Sequence, residues 1–416
     1  MFFFYQLIVS ILIILSPIII LFRVFKGKED PKRFIEKFSF PTCKRNYGKL
    51  IWFHGASVGE IQSIIPLIKY YEKKQNIKQI LITTSTLSSS KILSKYRFKK
   101  IIHQFYPIDH FYLTGNFIKY WRPSLAVFVE SEIWPCMFKN LKNKKIPLIL
   151  LNARLTKKSI NRWIKLKKFT QSIFKNILIT YPQNLETKSF IKKLKTTKIK
   201  LIGNLKFVEN NAGNLDQINK KLKIQLLKKK IWVASSTHKS EEIFCAKAHI
   251  ELKKRIKNLI TIIIPRHIHR VNKIIPEIEK FNLKVTKHSS KEKNLKDVDI
   301  YIVDTFGETK KFHRIASSVF LGGSIINRGG QNPLEAARFG ARILHGPSID
   351  NFKDIYKLLH SLKISKKISS PKKMASLIIF KKNKKVGNKI KNIGAKILKK
   401  TIKELDKLII HEFKKT

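Results

Sequence analysis

Two stretches of this chain set carboxylates where proton transfer could use them, and a third adds an ammonium group. In His54-Gly55-Ala56-Ser57-Val58-Gly59-Glu60, small residues and then an acid follow an apolar run and open a helical pattern. Small residues let the backbone approach a ligand, and a helix N-terminus favours anions. Glu60, if it lines a cleft, can take a proton from an attacking hydroxyl as a general base. The same residues spell a capping box, Ser57-x-x-Glu60, and on this segment alone the two uses stand level. Glu130-Ser131-Glu132-Ile133-Trp134-Pro135 follows the run ending at Val129. Two carboxylates two residues apart point to one side if the strand continues; a solvated loop is the plain alternative. In Gly203-Asn204-Leu205-Lys206-Phe207, Lys206 can offset charge developing on a carboxylate or phosphate, although any one lysine among so many is more commonly a surface group.

Further along come groups suited to holding an anion. Arg266, in Pro265-Arg266-His267-Ile268-His269-Arg270, can fork onto a phosphate. His267 and His269 have no third ligand nearby, so no metal is expected. Asp304-Thr305-Phe306-Gly307-Glu308 closes another apolar run and reads equally as turn chemistry. The richest segment is Gly322-Gly323-Ser324, followed by Gly329-Gly330-Gln331-Asn332-Pro333-Leu334-Glu335. Asn332 as N-cap, Pro333 as first helical residue and Glu335 as capping-box partner account for much of it. Exposed helix amides could also hold a phosphate, and Glu335 could bind ribose hydroxyls. No Gly-Lys-Ser/Thr follows, so this is not a P-loop.

These groups need rigid elements behind them. Leu50–Phe53, Ile80–Thr83, Leu125–Val129 and Pro147–Leu151 read as buried strands separated by helical patterns such as Ile61–Tyr71. A second series holds Ile231–Ala234, Leu259–Ile264, Asp299–Val303 and Ser318–Leu321. Each motif falls just after a predicted strand, where open α/β sheets bind ligands. The expected architecture is α/β, with two doubly wound domains facing a cleft. The expected bounds are an anchor at 1–25, a first domain at 30–208, a linker at 209–228 and a second domain with a terminal helix at 229–416.

Composition limits the setting. Lys and Arg total 86 against 27 acids, a formal charge of +59, which would draw the chain to anionic surfaces. Lys, Ile, Asn and Phe are abundant together, as an AT-rich coding bias produces, so runs such as Lys228-Lys229-Lys230 read mainly as solvated faces. A hydrophobic share of 43% excludes a chain disordered as a whole. Cys43, Cys136 and Cys245 lie far apart, with no zinc spacing, and suit a reducing compartment. Phe2 to Phe22 carry no charge, close to the length that spans a bilayer core. Arg23, Lys26 and Lys28 follow, which puts the downstream flank on the cytoplasmic side. No basic residue precedes the run and no small-x-small site follows it, so an uncleaved anchor is expected, either spanning or interfacial.

Taken together, WFHGASVGE at 52–60, ESEIWP at 130–135, NARL at 152–155, GNLKF at 203–207, PRH at 265–267 and GGQNPLEAARFG at 329–340 resemble the blocks of the 3-deoxy-D-manno-octulosonic acid (Kdo) transferase family, in that family's order. The resemblance implies a GT-B fold of two Rossmann-like lobes, and an inverting transfer of Kdo from CMP-Kdo to a lipid A precursor in lipopolysaccharide biosynthesis. It also implies work at the cytoplasmic face of the bacterial inner membrane. By the same resemblance, Glu60 matches the catalytic base, and Glu130 and Lys206 match groups supporting the transition state. Pro265, Arg266, Gly307, Glu308, Thr309, Asn332, Pro333, Leu334 and Glu335 match CMP-binding positions. No cofactor and no divalent metal is implied. The chain departs from the family at PRHIHR, where a PRHPER-like form is usual, at Thr309 and at Lys239. The expected partners are CMP-Kdo, lipid A precursor and inner-membrane lipids, without nucleic acid. Two other readings remain: a GT-B enzyme acting on another nucleotide sugar, and a non-catalytic basic membrane protein that binds anionic lipid or nucleic acid.

Overall fold

The computed structural model describes residues 1–94, 96, 98–208, 218–290 and 294–415. Two compact units divide the chain: Met1–Asn210 with Gly394–Thr416, and Asn211–Ile393.

The first unit is built on a seven-stranded parallel sheet: β1 (Leu50–His54), β2 (Gln79–Thr84), β3 (Ile101–Phe105), β4 (Leu125–Val129), β5 (Leu148–Ala153), β6 (Ile179–Pro182) and β7 (Lys198–Ile199), in the order β3-β2-β1-β4-β5-β6-β7. Its central strands are apolar throughout because both faces are covered. Ile51, Phe53, Val127 and Val129 belong to one core, while Trp52, Ala126 and Phe128 belong to the other. Burying each such side chain is worth roughly 1.5–3 kcal/mol relative to exposure. The order reverses between β1 and β4, which opens a crevice at their carboxyl ends.

The second unit repeats the plan with β8 (Lys230–Thr237), β9 (Leu259–Pro265), β10 (Val285–Lys287), β11 (Ile300–Ile302), β12 (Ser318–Leu321), β13 (Arg342–His345) and β14 (Ser365–Lys367). All are parallel, in the order β10-β11-β9-β8-β12-β13-β14. Here the reversal lies between β8 and β12.

One boundary differs from the sequence reading. The terminal helix, Lys384–Lys415, does not stay with the second unit; from Gly394 onward it belongs to the first. The cause is a stripe of Ile397, Leu398, Ile402, Leu405, Ile409 and Phe413 that packs on the first unit's core. Tyr70 donates to Asp406 at 2.7 Å and Lys200 pairs with Glu404 at 2.7 Å on the same face. Of the expected linker, 209–217 lie outside the described residues. Lys220–Leu227 is helical and buries Leu222 and Leu226.

At the N-terminus, α1 (Phe2–Phe25) is the one helix among the described residues long and apolar enough to cross a membrane. Pro17 cannot donate to the carbonyl of Ile13, and Ser16 Oγ donates to that carbonyl instead, at 2.7 Å. Cys43, Cys136 and Cys245 are all free thiols.

Candidate functional site

In the first unit, the chain leaves β1 at His54 and enters α2 (Val58–Glu72) within four residues. The capping box forms: Ser57 Oγ accepts from Glu60 N at 3.3 Å. Glu60 Oε2 accepts from Ala56 N at 2.7 Å and from Ser57 N at 3.3 Å. Capping does not remove Glu60 from chemistry. Its carboxyl is pushed up to about 7, first by burial and then by the negative charges of Glu132 and Glu130, against the pull of those two amides. A buried acid titrating near neutrality between two other acids is the usual condition of a general base.

The end of β4 supplies those neighbours. Glu130 takes a positive φ of 59°, a strained region for a side-chain-bearing residue that clusters at functional sites. Lys206 Nζ reaches both its carboxylate oxygens, at 2.8 and 3.0 Å, and both side chains are largely buried. Asn152, at the end of β5 with φ 53°, bridges the two loops. Its amide lies 3.5 Å from Glu130 Oε1, and its carbonyl accepts from Leu205 N at 3.0 Å. Glu132 faces His54 Nε2 at 3.0 Å and accepts from Trp134 Nε1 at 2.9 Å. Burial opposes its ionised form, yet the hydrogen bond and charge of His54, then the Trp134 bond, hold its carboxyl below the usual range. Thr83 Oγ1 fixes the far side of the His54 ring at 2.9 Å, and Tyr106 stacks on it at 3.9 Å.

The sequence-predicted residues Glu60, Glu130 and Lys206 thus belong to one neighbourhood at the β1/β4 switch point. Glu132, the other carboxylate of the pair read from the sequence, belongs there too, as do His54 and Asn152, for which the sequence reading gives no role. Their positions in the motifs at 52–60, 130–135 and 152–155 were the available signal. The broad basic depression lined by Arg45, Lys49, Lys119 and Arg122 lies around the opposite ends of these strands and contains none of these groups.

In the second unit the loops after β8 and β12 meet through an acid that sequence reasoning passed over. Glu241 is buried at the start of the helix Glu241–Lys253. It accepts from Gly323 N at 2.7 Å, Ser324 N at 3.2 Å and Ile325 N at 3.0 Å, and from His238 N at 3.0 Å. Gly322 must be glycine, for a Cβ there would sit 2.3 Å from the carbonyl of Ser236. Ser324 Oγ accepts from Gly346 N at 2.9 Å, tying in the loop after β13.

Around this frame lie the expected nucleotide-binding positions. Pro265 ends β9; Arg266 is exposed, and its backbone N donates to Thr237 O at 2.9 Å. Gly307 takes φ 86°, Glu308 pairs with Lys311 at 2.9 Å, and Thr309 opens the helix Thr309–Ile315. The helix after Asn332 begins at Leu334, one residue later than expected, with Asn332 Oδ1 accepting from Leu334 N at 3.0 Å. Glu335 does not act as a capping-box partner. Its carboxylate lies 3.3 Å from His313 Nδ1 and keeps 40% exposure. Burial opposes its ionisation, but the neighbouring His313, with Lys310 and Arg338, holds it below the usual range. An anionic, accessible carboxylate suits hydroxyl binding better than a closed cap would.

Residues 32–209 match the family profile described as 3-deoxy-D-manno-octulosonic-acid transferase (kdotransferase). A 3-deoxy-D-manno-octulosonic acid transferase of Rickettsia bellii is 34% identical over 92% of this chain and 91% of its own length. One from Haemophilus influenzae is 28% identical over 84% of each. Among solved structures, a glycosyltransferase from Rickettsia africae superposes with a TM-score of 0.57 at 13% identity, over 89% of this chain and all of that one. That likeness speaks for the fold alone, a GT-B-like pair of parallel-sheet units.

Proposed function

This chain belongs to the 3-deoxy-D-manno-octulosonic acid transferase family, and we propose that it transfers Kdo from CMP-Kdo to a lipid A precursor in lipopolysaccharide biosynthesis. The observation that carries the site assignment is the basicity of Glu60, a buried carboxylate raised to about 7 beside Glu130 and Glu132. In the proposed step, Glu60 takes the proton of an acceptor hydroxyl as its oxygen attacks the anomeric carbon of Kdo. The bond from that carbon to the phosphate oxygen breaks, CMP leaves, and the anomeric centre inverts. Lys206, held bidentate on Glu130, contributes positive charge where negative charge develops.

The second unit carries the nucleotide in this reading. Arg266 suits the phosphate, since its guanidinium is exposed and has no hydrogen bond among the described residues. The amides of the 329–335 loop and the carboxylate of Glu335 suit the phosphate and ribose. The loop after β11, with Gly307, Glu308 and Thr309, completes the set. The lipid acceptor fits a chain that begins with an apolar 24-residue helix and carries a charge of +59, placed at the cytoplasmic face of the inner membrane.

The test is direct. Purified full-length protein, given CMP-Kdo and a tetraacylated lipid A precursor, releases CMP and yields lipid heavier by whole Kdo units, read by mass spectrometry. CMP, but not UDP, protects the second unit from proteolysis. Folded protein that leaves the lipid mass unchanged overturns the assignment of donor or acceptor.

A further inference from the structure

The apolar N-terminal helix is not a free stalk. Its half-buried and buried positions are 2, 5, 6, 9, 10, 13, 16, 20, 23 and 24. That is one stripe at helical spacing, running the full length of α1. The stripe is held on the first unit by specific polar groups. Tyr5 Oη donates to Asp109 Oδ2 at 2.7 Å, and Ser10 Oγ lies 3.3 Å from His110 Nε2. Asp109 is itself buried and accepts from Cys136 N and Met137 N at 3.0 and 2.9 Å. Tyr5 is thereby tied to the turn that opens the helix Pro135–Asn143. Lys139 sits over the Phe2 ring at 4.2 Å. At the far end Arg23 pairs with Glu29 at 2.7 Å, and Glu29 with Lys37 at 2.6 Å.

Such a helix is about 36 Å long, against a hydrocarbon core of about 30 Å. Standing upright across a bilayer, it would carry Asp109 and His110, which hold Tyr5 and Ser10 inside its length, into the hydrocarbon, where ionisable groups are strongly disfavoured. The opposite face is bare: Phe4, Ile8, Ile11, Leu15, Ile18 and Phe22 are all exposed. The neighbouring surface continues the pattern. The Tyr5 ring meets Phe169 at 6.2 Å, and beside Phe169 exposed Ile164 and Leu166 stand among exposed Lys157, Lys158, Lys165, Lys167 and Lys168. Apolar side chains rimmed by lysines match an anionic lipid surface.

We infer that α1 lies in the plane of the membrane, its outer face in the hydrocarbon of a single leaflet and its inner face clamped to the first unit, with the lysine-rich corner at 157–168 on the headgroups of that leaflet. The occupant of this exposed face is lipid, and the chain enters the membrane without crossing it. The inference needs neither the donor nor the acceptor of the transfer reaction.

A topology measurement tests it. One epitope tag is placed ahead of Met1 and a different one after Thr416 in the full chain, and protease access is compared in intact spheroplasts and inverted inner-membrane vesicles. Both tags should be cut only in inverted vesicles, with the protein in the membrane fraction. Cleavage of the N-terminal tag in spheroplasts means that the helix crosses and overturns the inference. Recovery in the soluble fraction overturns lipid as the occupant. In a Cys43→Ser background, Ser10→Cys and His110→Cys should be bridged by a short bismaleimide in native membranes. Labelling of each cysteine without a bridge shows that the helix is not held on the body and equally overturns the inference.

Discussion

At the switch point of the first unit, the chain leaves its central strands in charged side chains: Glu60, Glu130, Glu132, Lys206 and His54. At the switch point of the second it leaves them in glycines and main-chain amides, with one buried acid, Glu241, holding the amides in place. The strand plans are closely alike, so the difference lies in the loops alone. Side-chain charge can change during a reaction, whereas backbone amides offer fixed, pre-oriented dipoles. In the proposed reaction, similar sheets therefore take two different jobs, proton transfer in one unit and anion holding in the other.

The sharpest way to break this comparison is Glu60→Gln. The amide oxygen can still accept from Ala56 and Ser57, so the helix cap survives while the base is lost. We expect kcat/KM for CMP release to fall roughly 100- to 10,000-fold, with CMP binding by calorimetry unchanged. A loss of less than tenfold would mean that the cap is the whole role of Glu60.

The counterpart in the second unit is Glu241→Ala. Four N–H groups, those of Gly323 and Ser324 buried and those of His238 and Ile325 half-buried, lose their acceptor together, and the expected loss is about 3 kcal/mol of stability in urea unfolding. CMP affinity should drop more than tenfold. Glu241→Gln, which keeps one acceptor oxygen, should recover part of both. CMP binding that survives in folded Glu241→Ala would show that the glycine loop does not hold the nucleotide.

A milder test is pH. Glu60 must be ionised to act, so log kcat/KM should climb with unit slope below about 7 and level above it. Glu132→Gln removes a negative charge that disfavours Glu60 ionisation, so the midpoint should move to lower pH while the Gln still accepts from Trp134. An unmoved midpoint would show that Glu132 serves only to hold His54.

The part of this arrangement legible in the sequence is the part set by burial. Leu125–Val129 and Ser318–Leu321 are central strands covered on both faces, so they read as unbroken apolar runs and fall where expected. β10, β13 and β14, with Lys287, Arg342 and Lys366 in them, lie away from the sheet centre and gave no such signal. The first-unit cluster was visible as motifs, because Glu60, Glu130 and Lys206 each follow the strand or loop that positions them. Glu241 stayed hidden because its role depends on Gly323, 82 residues away, and no local pattern encodes that pairing. The terminal helix was misassigned for the same reason. Its apolar stripe is plain in the sequence, but the core it covers is that of the other unit.

The smallest effect is also the most discriminating. Glu60 is held at about 7 against its ordinary 4.5, so the folded protein binds this proton more tightly than the unfolded chain does. For such a group, stability is greatest below the unfolded value and declines as pH rises from about 4.5 through about 7. At roughly 1.4 kcal/mol per unit, the penalty at pH 8 is at most of order 3 kcal/mol. Part of it is offset in Glu60→Gln, whose neutral amide makes weaker bonds to Ala56 and Ser57. The near-inactive variant should therefore be the more stable protein at pH 8, by about 1 kcal/mol, with the gap closing as pH approaches 4.5. Thermal unfolding at the two pH values measures it. A variant less stable than wild type at pH 8 would mean that the carboxylate is kept for the fold. A more stable variant would mean that the fold tolerates a strained acid because the reaction requires it.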